Sequence, residues 1–380
     1  MKVDVKAELV RWARERSMIE RDVLEERFPK LDAWESGEAL PTLKQLENFA
    51  RATHTPFGYF FLSEPPVERM PIPDFRTVAG ARIGRPSPDL LDTIYLCQQR
   101  QEWYREFARS TGERPVSFAA SATATSNVIE AAANIRHTLG FDVEERRRIP
   151  TWTDALRRFI EVADAAGVLV MVSGVVGSNN RRKLDTDEFR GFALADPLAP
   201  LVFINGSDTK AAQMFTLAHE LAHVWLGQSA VSDSQPSLAP DNRVERWCNE
   251  VAAELLVPMA ILRDEYRDGA NVEHEMERLA RRFKVSTLVI LRRIFDVGSL
   301  TQQHFHQAYE SELQRLLALP AGSGGNFYLT LGARASKRFA RALVVSTLEG
   351  RSSFTEALRL LGFKKMTTFR ELGQNLGLAV

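Results

Sequence analysis

The run FTLAHELAHVWLG places His219, Glu220 and His223 together inside an apolar periodic stretch that follows Ser207 and Asp208 and stops at Gly227. On a helix, positions i and i+4 share a face, so His219 and His223 would present two imidazole nitrogens to one cation. Glu220 then stands beside them, within reach of a water held there. Two neutral imidazoles with an adjacent carboxylate form the HExxH arrangement with which zinc peptidases activate water, so the chemistry this spacing suggests is metal-assisted hydrolysis. Ala218, Leu221, Ala222 and Leu226 already supply the packing surface of such a helix, which leaves the two histidines without a purely structural reason to be there.

A catalytic zinc needs a third protein ligand and an open position for water. The next helical stretch, DNRVERWCNEVAAELLVP, opens at Asp241 and Asn242, runs from Arg243 to Val257 and ends before Pro258. It offers Glu245, Glu250 and Glu254. Glu245 shares a face with Asn249, Ala252 and Leu256, a stripe suited to packing on the histidine helix, although the same residue could close a capping box with Asn242. Glu250 and Glu254 stack on another face, where like charges are more often solvated. His304, His306 and Tyr309 in QQHFHQAYE are the available donors for an oxyanion. His54, His137 and His274 lack a partner at ligand spacing and are given no role.

The elements that must position these groups read as α+β. GVLVMV, FRGFALA and PLVFING are strand-like, with helical periodicity on either side, including one helical pattern from Leu90 to about Leu139 that Gly140 stops. At 380 residues, and about 150 per domain, two or three modules are expected. The expected boundaries are 1–65, a helical module ending at Pro65 and Pro66; 66–272, the region with the metal motif; 273–324, a further helical region; and 325–380, set off by the Gly/Ser break AGSGGN. Lys+Arg and Asp+Glu both number 49, which excludes a global field drawing the chain to nucleic acid or an anionic membrane. The longest mostly apolar stretch, Ala166 to Gly177, is too short and too glycine-rich to span a bilayer, and no secretory leader is read at the N-terminus. Two cysteines, Cys97 and Cys248, cannot build a disulfide framework, so a cytoplasmic protein with reduced thiols is expected.

FTLAHELAHVWLG followed by VERWCNEVAAELLVP resembles the ImmA/IrrE family of metallo-endopeptidases, over roughly residues 70 to 300 and including the arm PIPDFRT. The resemblance implies a mainly helical, zincin-like core with a small sheet, Zn2+ as cofactor, and Glu245, the first glutamate of ExxxN, as third ligand beside His219 and His223. It also implies Glu220 as general base. Such proteins are bacterial or phage-borne and cut DNA-binding repressors or antitoxin-like regulators, so a protein substrate of that kind is expected. The competing class is a non-catalytic regulator that uses the peptidase-like fold to bind a partner or DNA.

The flanks carry a second theme. WESGEALPTLKQLENFARAT is similar to the end of a repressor-type (XRE) helix-turn-helix, but FPKLD stands where that pattern has a glycine turn and a Ser/Thr-rich recognition helix. With ten Lys/Arg against twelve Asp/Glu in residues 1–65, this module suits protein docking better than phosphate contact. Met276 to Gly298 also resembles a helix-turn-helix, with six basic residues against two acids, and the tail from Gly325 to Val380 has nine against three. Contact with nucleic acid, if any, is expected through one of these two segments.

Overall fold

The computed structural model describes residues 2–75, 77–78, 81–82, 85–232, 242–267, 269–318 and 334–379. The break at 321–326 and Asp241 lie outside them. The chain divides into two compact units, Met1–Pro71 with Ile83–Tyr95, and Ile72–Arg82 with Leu96–Val380.

The first unit holds α1 (Ala7–Ser17), α2 (Arg21–Arg27), α3 (Leu31–Glu35), α4 (Leu43–Ala52) and a 3₁₀ turn at Phe57–Phe61. Its core is formed by Leu9, Val10, Leu24, Phe28, Leu31, Trp34, Leu46, Phe49 and Phe60. Thr42 caps α4 in a full capping box with Gln45, as Pro41-Thr42 implies. The segment FPKLD feeds α3, a helix of only 5 residues.

The second unit is mainly helical around a small sheet, the α+β class read from the sequence. After a short hairpin, β1 (Thr77–Val78) and β2 (Ala81–Arg82), come α5 (Pro88–Thr111), which begins in the first unit, α6 (Val128–Leu139), α7 (Val143–Arg148) and α8 (Trp152–Ala166). The single helical pattern expected from Leu90 to Leu139 is thus two helices separated by irregular chain at 112–127; periodicity on both sides hid the break. Then follow β3 (Leu169–Ser173), β4 (Gly191–Leu194), β5 (Leu201–Asn205), α9 (Lys210–Leu226), β6 (Ala230–Val231) and α10 (Arg243–Leu256). The sheet order is β3-β5-β4-β6. β3 and β5 run parallel, in register Leu169 to Leu201, and β4 is antiparallel to both β5 and β6. β3, β4 and β5 are buried along their whole length, which explains why they read as continuous apolar runs and not as alternations.

Helices α11 (Met259–Glu265), α12 (Val272–Phe283), α13 (Thr287–Val297) and α14 (Gln302–Leu317) follow. Met276, Leu279, Phe283, Ile290 and Ile294 enter the same core as Leu217, Leu221, Val251 and Leu255, so the helices after residue 272 are packed onto those before it. The charges of this segment are turned inward or paired. Arg278 bonds Glu275, Arg281 bonds Glu277, Arg282 bonds Glu265 and Glu144, Arg292 bonds Asp296, and Arg293 bonds Glu254. Lys284 lies over Trp152 and reaches Pro150 O. Three closing helices, Lys337–Leu348, Phe354–Leu361 and Met366–Asn375, complete the chain. Their cations are also partly consumed, Arg338 by Glu113 and Tyr104, Lys337 by Glu161 and Arg359 by Gln99, leaving Lys364, Lys365 and Arg370 exposed. Among the described residues, no helix is long and apolar enough to cross a membrane. Both cysteines are free and buried, and burial pushes the Cys97 thiol up to about 12.

Candidate metal centre

Helix α9 starts at Thr209, whose hydroxyl accepts from Ala212 N, and stops at Gly227, which takes the left-handed conformation (φ +68°). From Met214 to Leu226 all but Phe215 is buried, because α9 is packed between the sheet and helices α8 and α10. His219 and His223 therefore face the protein interior one turn apart. α10 opens at Asn242, which accepts from Val244 N, and brings Glu245 and Asn249 to the α9 side. Glu245 does not reach back to close a capping box; it turns to the histidines.

His219 Nε2 lies 3.2 Å from His223 Nε2, and the Glu245 carboxylate lies 3.3 Å from the first and 3.0 Å from the second. Among the described residues these three are the group of His, Cys, Asp and Glu side chains close enough together to hold a metal ion. A tetrahedral ion with bonds of about 2.0–2.1 Å separates its ligand atoms by about 3.3 Å, so the observed spacing is that of three corners around one cation. The donors fit as well. Among the described residues neither Glu245 oxygen has a hydrogen-bond partner apart from these contacts, and a buried carboxylate turned with two imidazole nitrogens to one point suits a positive centre between them. His219 Nδ1 bonds Asn249 Oδ1 at 2.9 Å; since that oxygen only accepts, Nδ1 donates, and Nε2 is the nitrogen turned to the cluster. Among the described residues His223 Nδ1 has no such partner, and Phe75 stacks on its ring instead.

The charges follow from burial and proximity. Burial pulls His219 down, yet Glu245 above all, with Glu220 and Asn249, carries it up to about 9. Burial lowers His223 against the opposing pull of Glu245. Glu245, despite the burial that favours its neutral form, is held well below the usual carboxylate range by His219 and His223. Glu220 is raised to about 8 by burial, with His219 and Ser232 pulling the other way. It is seated against Gly191, where a Cβ would come within 3.0 Å of Oε1.

The other candidates are not among the three clustered ligands. Glu250 is exposed, and Glu254 is buried in an ion pair with Arg293 while accepting from Met259 N. His304 and His306 are exposed on α14, and Tyr309 is half-buried and feels the charge of Arg190. His54 follows α4, His137 lies in the last turn of α6 and His274 in the first turn of α12. Sequence reasoning placed Asn249 on the face of Glu245 but gave it no task; the i, i+4 spacing was the available signal. Gly191 carried no signal, and Phe75, within the arm PIPDFRT, was given no role, since each matters only through a contact distant in sequence.

An HExxH helix under a small mixed sheet, with a carboxylate offered by the following helix, defines a zincin-like domain of the metallopeptidase type. Residues 163–295 match the family described as IrrE N-terminal-like domain, of the M78 peptidases, so the chain carries a domain of the ImmA/IrrE family. Residues 335–375, the closing helices, match a domain of unknown function. No similar curated protein and no similar solved structure was found.

Proposed function

We propose that the protein is a zinc-dependent endopeptidase in which His219, His223 and Glu245 hold the ion and Glu220 is the general base. The observation that carries this reading is the set of three ligand-atom separations of 3.0–3.3 Å in a buried site. An N,N,O donor set suits zinc, which, when bound, supplies Lewis acidity and brings the pKa of a water toward neutrality. Asn249 orients His219 so that its Nε2 stays aimed at the cluster. Glu220 accepts a proton at a carboxylate oxygen from the attacking water and delivers it to the nitrogen of the departing amine. Its buried seat favours the protonated form, which suits a group that must hold the proton between the two transfers. The substrate, by the family's habit, is a DNA-binding repressor or antitoxin-like regulator cut in an exposed linker.

Elemental analysis of purified protein tests the metal: about one zinc per chain in the wild type, lost in His219→Ala and Glu245→Ala. Glu220→Gln should keep the zinc and lose cleavage of a peptide library. A well-folded wild type that takes up no zinc when supplied with it would sink the reading, and retention in Glu245→Ala beside loss in Glu250→Ala would overturn the ligand choice.

A further inference from the structure

The cluster is buried. Glu220 and His223 have no exposed surface, Glu245 keeps 2% and His219 5%. A peptide cannot reach groups buried to this degree, so a piece of chain over them must move. The helices and central strands are held by the main core, which makes them poor candidates. The segment Ile72–Phe75 is different. It is an irregular arm, with Pro73 and Asp74 exposed, and its Phe75 ring lies across His223 with centroids 6.4 Å apart and planes at 28°.

This arm is tied to the sheet edge at Val231. Phe75 N–H donates to Val231 O at 3.0 Å, and Val231 N–H donates to Pro73 O at 2.9 Å, so Asp74 pairs with Val231 in a parallel bridge. Val231 belongs to β6, the outermost strand beyond β4. Its N–H and C=O both point away from β4, and they are the two groups through which a sheet edge takes up an extended chain. Ser232, the next residue, is buried beside Glu220. A chain laid on Val231 therefore passes next to the carboxylate that the reaction needs. The arm fills that lane through two backbone hydrogen bonds of the kind an incoming backbone can replace bond for bond.

On the peptidase reading given above, we propose that Pro73–Phe75 is an internal occupant of the lane that an extended stretch of the protein substrate takes, and that it leaves β6 before cleavage. The arm is then a strap over the metal centre: substrate pairing with Val231 and uncovering of His223 are one event.

A disulfide across the bridge tests this. The double variant Asp74→Cys/Val231→Cys, oxidised and verified by mass, holds the arm down, and its reduced form is the control; the native thiols are buried and do not compete. Two readouts are taken, the rate at which a chromogenic chelator strips zinc from the loaded protein and the cutting of an unfolded protein substrate. The oxidised form should release zinc several-fold more slowly than the reduced form and fail to cut, with both restored by dithiothreitol, while Phe75→Ala should release zinc several-fold faster than wild type. Equal zinc release and equal cutting by the oxidised and reduced forms would overturn the strap and leave the peptidase reading standing. Failure of every form to cut, with the lock still slowing zinc release, would overturn the peptidase reading and not the strap. Failure of the pair to oxidise in folded protein would overturn the pairing itself.

Discussion

The bond from His219 Nδ1 to Asn249 Oδ1, at 2.9 Å, fixes the ring plane of the histidine and which nitrogen faces the cluster, so its loss should be felt at the other nitrogen. Asn249→Ala is expected to weaken zinc affinity by about 10- to 100-fold, measured by chelator competition, with an unchanged circular dichroism spectrum. Asn249→Asp should restore much of it, because a carboxylate oxygen accepts the same N–H. Gly191 makes a different demand. A Cβ there would meet Thr216 Cγ2 at 2.6 Å and Phe203 O at 2.8 Å as well as the Glu220 carboxylate. Backbone and a packed helix cannot give way as a side-chain tip can, so Gly191→Ala should cost about 1–3 kcal/mol in urea denaturation. Because Glu220 is displaced while the histidines are not, cleavage should fall further than zinc content.

At the scale of the element, α10 carries Glu245 at one end and is gripped at the other. Arg136 donates to Glu254 O at 2.7 Å, Arg146 to Leu256 O, and Arg293 to Val257 O at 3.0 Å. Three guanidinium groups on α6, α7 and α13 thus satisfy the carbonyls that every helix leaves orphaned at its C-terminus and oppose the negative end of its dipole. Glu254 completes the arrangement through its ion pair with Arg293, where both side chains are more than nine-tenths buried. Removing one member of such a pair strands the other. Arg293→Met should destabilise the fold by about 3–5 kcal/mol, and adding Glu254→Gln should recover a substantial part of that loss. If the single and double variants unfold at the same urea concentration, the pair is not what holds this end of α10.

At the scale of the whole molecule, the closing helices are part of the peptidase unit's packing. The buried Arg100 of α5 donates to Leu360 O and Arg334 O, both at 2.9 Å, and Trp103 packs edge-on against Phe339 while its indole N–H reaches Ser352. Asp164 at the end of α8 accepts from Arg338 N, which anchors the start of the first closing helix. A chain ended at residue 318 would expose this apolar seat and leave Arg100 without its two acceptors. It should show a lower thermal midpoint and bind a hydrophobic dye in its native state; a truncated protein as stable as the full chain would refute this account.

Local rules in the sequence determined a good deal. The i, i+4 spacing obliges His219 and His223 to share a face, Thr42 and Ser353 start helices, and Gly140, Gly227 and Gly362 stop them, all through interactions within a few residues. The strand positions were legible because buried strands are continuously apolar. What spacing could not decide was which of three carboxylates turns to the histidines, since Glu245 had an equally good local use as a capping residue. Nor could net charge decide where the cations of Met276 to Gly298 are spent, because their partners Glu144, Glu254 and Glu265 lie on other helices. The break inside the long helical pattern, the seat of Glu220 on Gly191 and the arm on Val231 belong to the same class. Each is settled by groups far apart along the chain that meet only when the core closes, and only the tertiary structure brings them together.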